Sequence, residues 1–177
     1  MQFYLIMSKG GVIIMASGNE GEVTIRPMEK GDINDILAIY GKSREEKIPG
    51  VKRSRLSYQD VMTYDEVALT NPGGPLDLSL VAEANGKAIG FIWSALAYVG
   101  IPVAEVGVIY MLIIDSDYQK RGIAKKLAEA LSKRCRDRGV NTVRAVIDQR
   151  NWELQNYFQK LGFRRSELAI FTKATNG

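Results

Sequence analysis

One stretch constrains this chain more than any other. Gln119-Lys120-Arg121-Gly122-Ile123-Ala124 lies between an apolar run, Val106 to Ile114, and an amphipathic segment, Ile123 to Arg138. That order specifies a strand, a tight turn and a helix. A glycine where a helix begins lets the backbone come close to a ligand. The first amides of a helix have no intrahelical acceptor and attract anions. Lys120 and Arg121 add positive charge at the same point. The sequence therefore predicts a diphosphate cradle built mainly from main chain.

The patterns on either side predict the scaffold that holds this turn. Ile123, Leu127, Ala130, Leu131 and Cys135 recur at helical spacing, and Gly139 supplies a stop. Upstream, Leu78 to Ala84 and Ala88 to Ala97 read as strands joined by Asn85-Gly86, a strong hairpin signal. Val103 to Ile114 is almost continuously apolar, which suits a central strand covered on both sides. Val23 to Arg26 reads as a short strand. Asp32 is expected to cap a helix that carries Ile33, Ile36, Leu37 and Tyr40 on one face. Lys42 to Arg55 is a basic linker, Ser57 opens a second helix to about Ala68, and Asn71 to Pro75 is a loop. Thr142 to Ile147 is expected as a strand, Trp152 to Leu161 as a helix and Phe163 to Thr172 as the last strand. A meander followed by alternation with helices predicts a mixed α/β (α+β) fold. Its central sheet is mixed and mostly antiparallel, with helices on both faces.

Composition narrows the chemistry. The chain has 177 residues, the length of one domain. It has no histidine and one cysteine, Cys135. Zinc sites built on Cys and His are excluded, no metal is expected, and Ser-His or Cys-His nucleophilic machinery is excluded too. Cys135 falls on the apolar face of its helix and reads as core. A single cysteine allows no internal disulfide, in keeping with a cytoplasmic location. The net charge of +4 suits a small polyanion and does not call for nucleic acid. Eight Lys or Arg lie from Lys120 to Arg138, against Glu129 and Asp137. Most of these read as a solvated helix face, and only Lys120, Arg121 and Lys125 lie near the turn. Residues 1–20 contain apolar runs far shorter than the ~20 residues of a membrane span, and no membrane association is expected. They are read as a disordered extension, with Met7 and Met15 as alternative starts, ahead of a single domain over 21–177.

The pattern Gln119-x-x-Gly122-x-Ala124 after a strand resembles the acetyl-CoA-binding motif of the GNAT acetyltransferase superfamily. Leu112-Ile113-Ile114-Asp115-Ser116-Asp117-Tyr118 is similar to that family's strand and its exit loop, without the proline often found near Ser116. Asn151 to Phe163, with Lys160-Leu161-Gly162-Phe163, is similar to the second cofactor-side helix and the start of the last strand. The resemblance implies an N-acetyltransferase that takes acetyl-CoA and a primary amine. Its alternative is a non-catalytic acyl-CoA-binding module. The implied cofactor residues are Leu112, Ile113, Ile114, Gln119, Lys120, Arg121, Gly122, Ile123, Ala124, Asn151, Phe158 and Lys160. The strand before the cradle is expected to splay from the next one, with the pantetheine arm pairing along its edge.

Acetyl transfer needs a deprotonated amine, a donor for the oxyanion and a proton for the departing thiolate. The amide of Ile114 is the candidate oxyanion donor. The family often places a tyrosine acid five residues before the Gly-Phe phenylalanine; here that position is Phe158, with Tyr157 beside it. Tyr157 is thus either the acid or a packing residue. Glu105, acting through water, and Asp148 are candidate bases, each with an exposed structural role as the other reading. Asn151 either contacts the cofactor or caps the helix at Trp152. The acceptor side is expected from residues 32–68 and 98–102. Lys42, Arg44, Lys47, Lys52, Arg53 and Arg55 there are either an anion-binding cluster or a solvated loop. The last strand is a candidate for pairing across a homodimer.

Overall fold

The computed structural model of the chain describes residues 4–5, 22–45, 78–99 and 103–168. Among the described residues six strands form one sheet: β1 (Tyr4–Leu5), β2 (Thr24–Pro27), β3 (Leu80–Ala84), β4 (Lys87–Val99), β5 (Ala104–Ile114) and β6 (Val143–Ala145). The helices are α1 (Ile33–Glu45), α2 (Ile123–Arg136) and α3 (Trp152–Lys160). β2, β3, β4 and β5 pair antiparallel in sequence order, and β5 pairs parallel with both β6 and β1. The expected mixed, mostly antiparallel sheet is present.

Helices cover both faces, as the pattern requires. On one face Leu80, Ala82, Ile92, Ile109 and Leu112 pack with Ile123, Leu127, Leu131 and Cys135 of α2 and with Leu154 and Phe158 of α3. On the other, Val81, Phe91 and Ile113 pack with Ile36 and Ile39 of α1. Strand side chains alternate between faces, so Leu80, Val81 and Ala82 divide between the two cores. Gly107 lets α2 approach closely, since a Cβ there would lie 2.7 Å from the Cys135 sulfur.

Two bulges interrupt the alternation. One falls at Ile89, between the pairs Gly90–Ala82 and Ala88–Glu83. The other falls at Tyr110, between Trp93–Met111 and Ser94–Ile109. The second lets Ile109 face α2 while Met111 faces α1. It also marks where β6 stops, because the last β5–β6 pair is Ile109 with Ala145. From Tyr110 to Ile114, β5 extends beyond β6.

Turn chemistry follows the sequence. Asn85 and Gly86 adopt φ 53° and 75°, the hairpin geometry their types favour. Gly139 closes α2 at φ 79°, with the Val140 amide donating to the Cys135 carbonyl.

Some expectations need correction. Asp32 does not cap α1 from its start. It sits in a short 3-10 turn, Lys30–Asp32, accepts from the Glu29 amide and is gripped by the Arg26 guanidinium at 2.7 and 2.8 Å. The strand expected from Phe163 is not formed over 163–168, and 169–172 lie outside the described residues. The expected helix at Ser57 and the loop at Asn71 also lie outside them. Tyr4–Leu5, within the segment read as an extension, pairs with Met111 and Leu112; the rest of residues 1–20 is outside the described residues. Among the described residues no helix is long and apolar enough to cross a membrane.

Candidate active site

The turn between β5 and α2 is built as its sequence demands. After β5, Ser116–Tyr118 form a single 3-10 turn in which the Asp117 amide donates to the Asp115 carboxylate and the Tyr118 amide to the Asp115 carbonyl. Lys120 and Gly122 then take left-handed φ values of 63° and 75°. Only glycine does this without cost, so the lysine carries local strain. Gly122 is the N-cap of α2 and has no side chain to cap with. The Lys126 amide donates to the Gly122 carbonyl at 3.1 Å, the first bond of the helix. The amides of residues 123–125 precede it and have no acceptor within the helix.

Gly122 is exposed, and a Cβ placed on it would meet nothing within 4 Å. Ile123 and Ala124 bury their side chains in the core, so they offer only main chain outward. Arg121 stacks over the Tyr118 ring at 5.3 Å and donates to the Asp117 carbonyl at 3.1 Å. Lys120 is exposed.

The end of β5 leads directly into this turn. The Asp115 amide donates to the Ile89 carbonyl on β4 at 2.9 Å. Hydrogen-bonding direction alternates along an antiparallel strand, so the amides of Ile114 and Leu112 point the other way, towards the outer edge. The Gln119 amide nitrogen donates to the Ile114 carbonyl at 3.2 Å on that edge, which fixes the strand's end. Leu112 and Ile113 keep their side chains buried. β1 covers the outer edge at Met111 and Leu112, and Ile114 lies beyond that pairing.

α3 borders the same core. Tyr157 is half-buried against it, as are Ile114 and Tyr118. Burial pushes the Tyr157 phenol above its ordinary value, so it is protonated near neutral pH. Phe158 is buried and meets Phe163 edge-on at 5.0 Å. Its side chain fills the core. Asn151 caps α3, its carbonyl oxygen accepting from the Leu154 amide at 3.1 Å. Lys160 is exposed at the far end of α3.

Neither candidate base is free at the cradle: Glu105 lies far along β5, and Asp148 is tied to Arg150. Glu105 pairs with Tyr98 near the opposite tip of the β4–β5 hairpin. Nine residue steps along β5 separate it from Ile114, about 30 Å at ~3.3 Å per residue. Asp148 is engaged by Arg150 at 2.7 and 3.1 Å, which lowers its pKa to about 2 and makes it a poor base. The acceptor-side cluster is only partly described. Within it, Lys42 turns away from an acceptor role and binds both Asp115 and Asp117 at 2.8 Å. Sequence reasoning missed this contact, because 73 and 75 residues separate the partners and no local signal links them.

An uncapped helix follows a left-handed glycine, beside the end of β5, where Ile114 lies beyond the pairings with β6 and β1. The acetyltransferase (GNAT) family profile matches residues 41–163. The chain belongs to the GNAT family. Among GNAT relatives, an uncharacterised N-acetyltransferase of Methanocaldococcus jannaschii is 27% identical over 150 residues, 82% of this chain and 62% of its own length. A mycothiol acetyltransferase of Cellulomonas flavigena is 27% identical over 124 residues, 67% of this chain and 34% of its own. The chain thus spans less than two-thirds of either relative. In fold it is similar to AAC(6')-Iy in complex with the bisubstrate analogue CoA-S-monomethyl-acetylneamine, with a TM-score of 0.68 and 21% identity, covering 88% of this chain and 99% of that one.

Proposed function

We propose that this chain transfers an acetyl group from acetyl-CoA to a primary amine by direct attack in a ternary complex. The observation that carries this reading is the pairing of two open main-chain surfaces. One is the set of amides at 123–125 behind Gly122; the other is the outer edge of β5 at Ile114, beyond the pairings with β6 and with β1. The first suits a diphosphate and the second a pantetheine amide chain. The presence of CoA in the analogue bound to a fold neighbour supports the same ligand.

Each residue then has a defined task. The amides of residues 123–125 hold the diphosphate, with Lys120 and Arg121 supplying charge around it. Gln119 fixes the Ile114 carbonyl and so orients the Ile114 amide. That amide donates to the carbonyl oxygen of the thioester as negative charge builds on it. The amine nitrogen bonds to the carbonyl carbon, the carbon–sulfur bond breaks, and Tyr157 gives its proton to the leaving thiolate. The amine's proton passes to water, from which Tyr157 is later reprotonated. Because a thiol pKa is ~8.5, this proton is a modest requirement near neutral pH, and positioning supplies most of the acceleration.

The test is thiol release from acetyl-CoA with a panel of primary amines, aminoglycosides and amino sugars among them. Saturable, amine-dependent release that Gly122→Glu abolishes supports the reading. Binding of CoA without release on any amine would replace the enzyme by a silent acyl-CoA-binding module.

A further inference from the structure

Asp115 and Asp117 stand only a few residues before Gly122, on the loop that leads into the diphosphate site. Asp117 belongs to the same turn as Arg121, which donates to its carbonyl at 3.1 Å. Two carboxylates at the mouth of an anion site oppose its ligand. Within residues 115–121 they cancel the charges of Lys120 and Arg121, leaving no net attraction. Lys42 changes that balance. It comes from α1, on the other side of the sheet, and its Nζ donates to both carboxylates at 2.8 Å. Asp115 is 21% exposed and Asp117 72%, so the contact is wet on one side and partly shielded on the other. Hydrogen bonding first to Asp115 and then to Asp117 holds the Lys42 ammonium above its ordinary pKa, so it stays charged across the neutral range.

We propose that Lys42 is an internal counter-ion for the cofactor site: by masking Asp115 and Asp117 it gives the loop before Gly122 a net positive field, and thereby sets the affinity for the CoA diphosphate. The inference rests on the proposed function, because it takes the diphosphate to lie at residues 123–125. It makes Lys42 a positioning residue that acts through the acids it masks. It also removes Lys42 from the pool of free cations on the acceptor side.

The experiment is calorimetric titration of CoA into the wild-type chain, Lys42→Met, Lys42→Arg, Asp117→Asn and the double variant Lys42→Met/Asp117→Asn, at low and at high salt. Unmasking the acids should raise Kd about three- to tenfold at low ionic strength, with the difference shrinking as added salt shortens the Debye length. Lys42→Arg should keep the wild-type Kd. Asp117→Asn alone should bind at least as tightly as wild type, and in the Lys42→Met background it should recover most of the loss. A tether that merely fixes the loop predicts no such recovery, so a double variant as weak as Lys42→Met overturns the proposal. So does a Lys42→Met Kd equal to that of wild type. If the wild-type chain fails to bind CoA at all, the acetyltransferase reading falls and this one falls with it.

Discussion

Gly122 separates two reasons for needing a glycine, and the structure sets the size of each. Its φ of 75° is a left-handed conformation, while a Cβ built on it would touch nothing within 4 Å. In the free protein Gly122→Ala therefore suffers only the conformational term, about 1–2 kcal/mol. For a chain of this size that lowers Tm by about 2–4 °C for each kcal/mol. Asparagine enters the left-handed region more readily than alanine, so Gly122→Asn should lose less. With ligand present the order should reverse. A phosphate oxygen bonded to an amide of residues 123–125 sits about 2.9 Å from the nitrogen, and a side chain at 122 projects into the adjoining open space. Loss of one charge-assisted hydrogen bond costs about 1.5–3 kcal/mol, or about ten- to a hundredfold in Kd. Asparagine, being larger, should suffer at least as much as alanine. Melting by circular dichroism gives the stability order, and calorimetry with CoA gives the affinity order. If the affinities simply track the melting temperatures, backbone strain explains everything and no ligand approaches Gly122.

Other outcomes rest on the same geometry. Tyr157→Phe should lower kcat about ten- to a hundredfold with KM for acetyl-CoA unchanged, at or below the lower end of general acid catalysis because a thiolate leaves readily; an unchanged kcat assigns Tyr157 to packing. Pantetheine pairing along Leu112 requires β1 to leave, so a chain beginning at Met7, which lacks Tyr4 and Leu5, should bind CoA more tightly than the full chain; equal or weaker binding means that the β1 pairing and the ligand do not compete. Burial raises the Asp32 carboxyl, but the Arg26 hydrogen bonds, the Glu29 amide and the Arg26 charge outweigh it and hold the native pKa below the ordinary value. A lowered native pKa contributes stability that is complete above the unfolded value of about 3.9 and is lost as pH falls through the native one. The Tm gap between wild type and Asp32→Asn, scanned from pH 6 to pH 2.5, should hold steady above about pH 4 and narrow below it; a gap that widens on acidification contradicts the assignment.

What the sequence reveals is mostly local. Gly122, Gly139 and Asn85-Gly86 announce positive φ by residue type, and helical spacing places Leu127, Leu131 and Cys135 on the core face. Register is not legible. Nothing near Ile89 or Tyr110 marks a bulge, because a bulge is a relation between two strands, and the bulge at Tyr110 lies where β5 runs on past β6. Asp32 resembles a helix cap because aspartate is a favoured N-cap and here precedes apolar periodicity. Its carboxylate is shared between the Glu29 amide and the Arg26 guanidinium, the latter six residues earlier on β2. Phe158 stands at a position where the family often has tyrosine, and the structure explains its type by the edge-on contact with Phe163. Lys42 groups with its basic neighbours in sequence, whereas its partners lie across the sheet on the loop after β5.

The central claim is that main-chain amides behind Gly122 bind the diphosphate of a CoA thioester. It is tested most directly by nitrogen-15 NMR of the labelled chain titrated with CoA, followed amide by amide. The amides of residues 122–125 should move furthest and saturate together, with Leu112 and Ile114 shifting in the same titration. Shifts confined to other parts of the chain, with residues 122–125 unmoved at saturation, would contradict it.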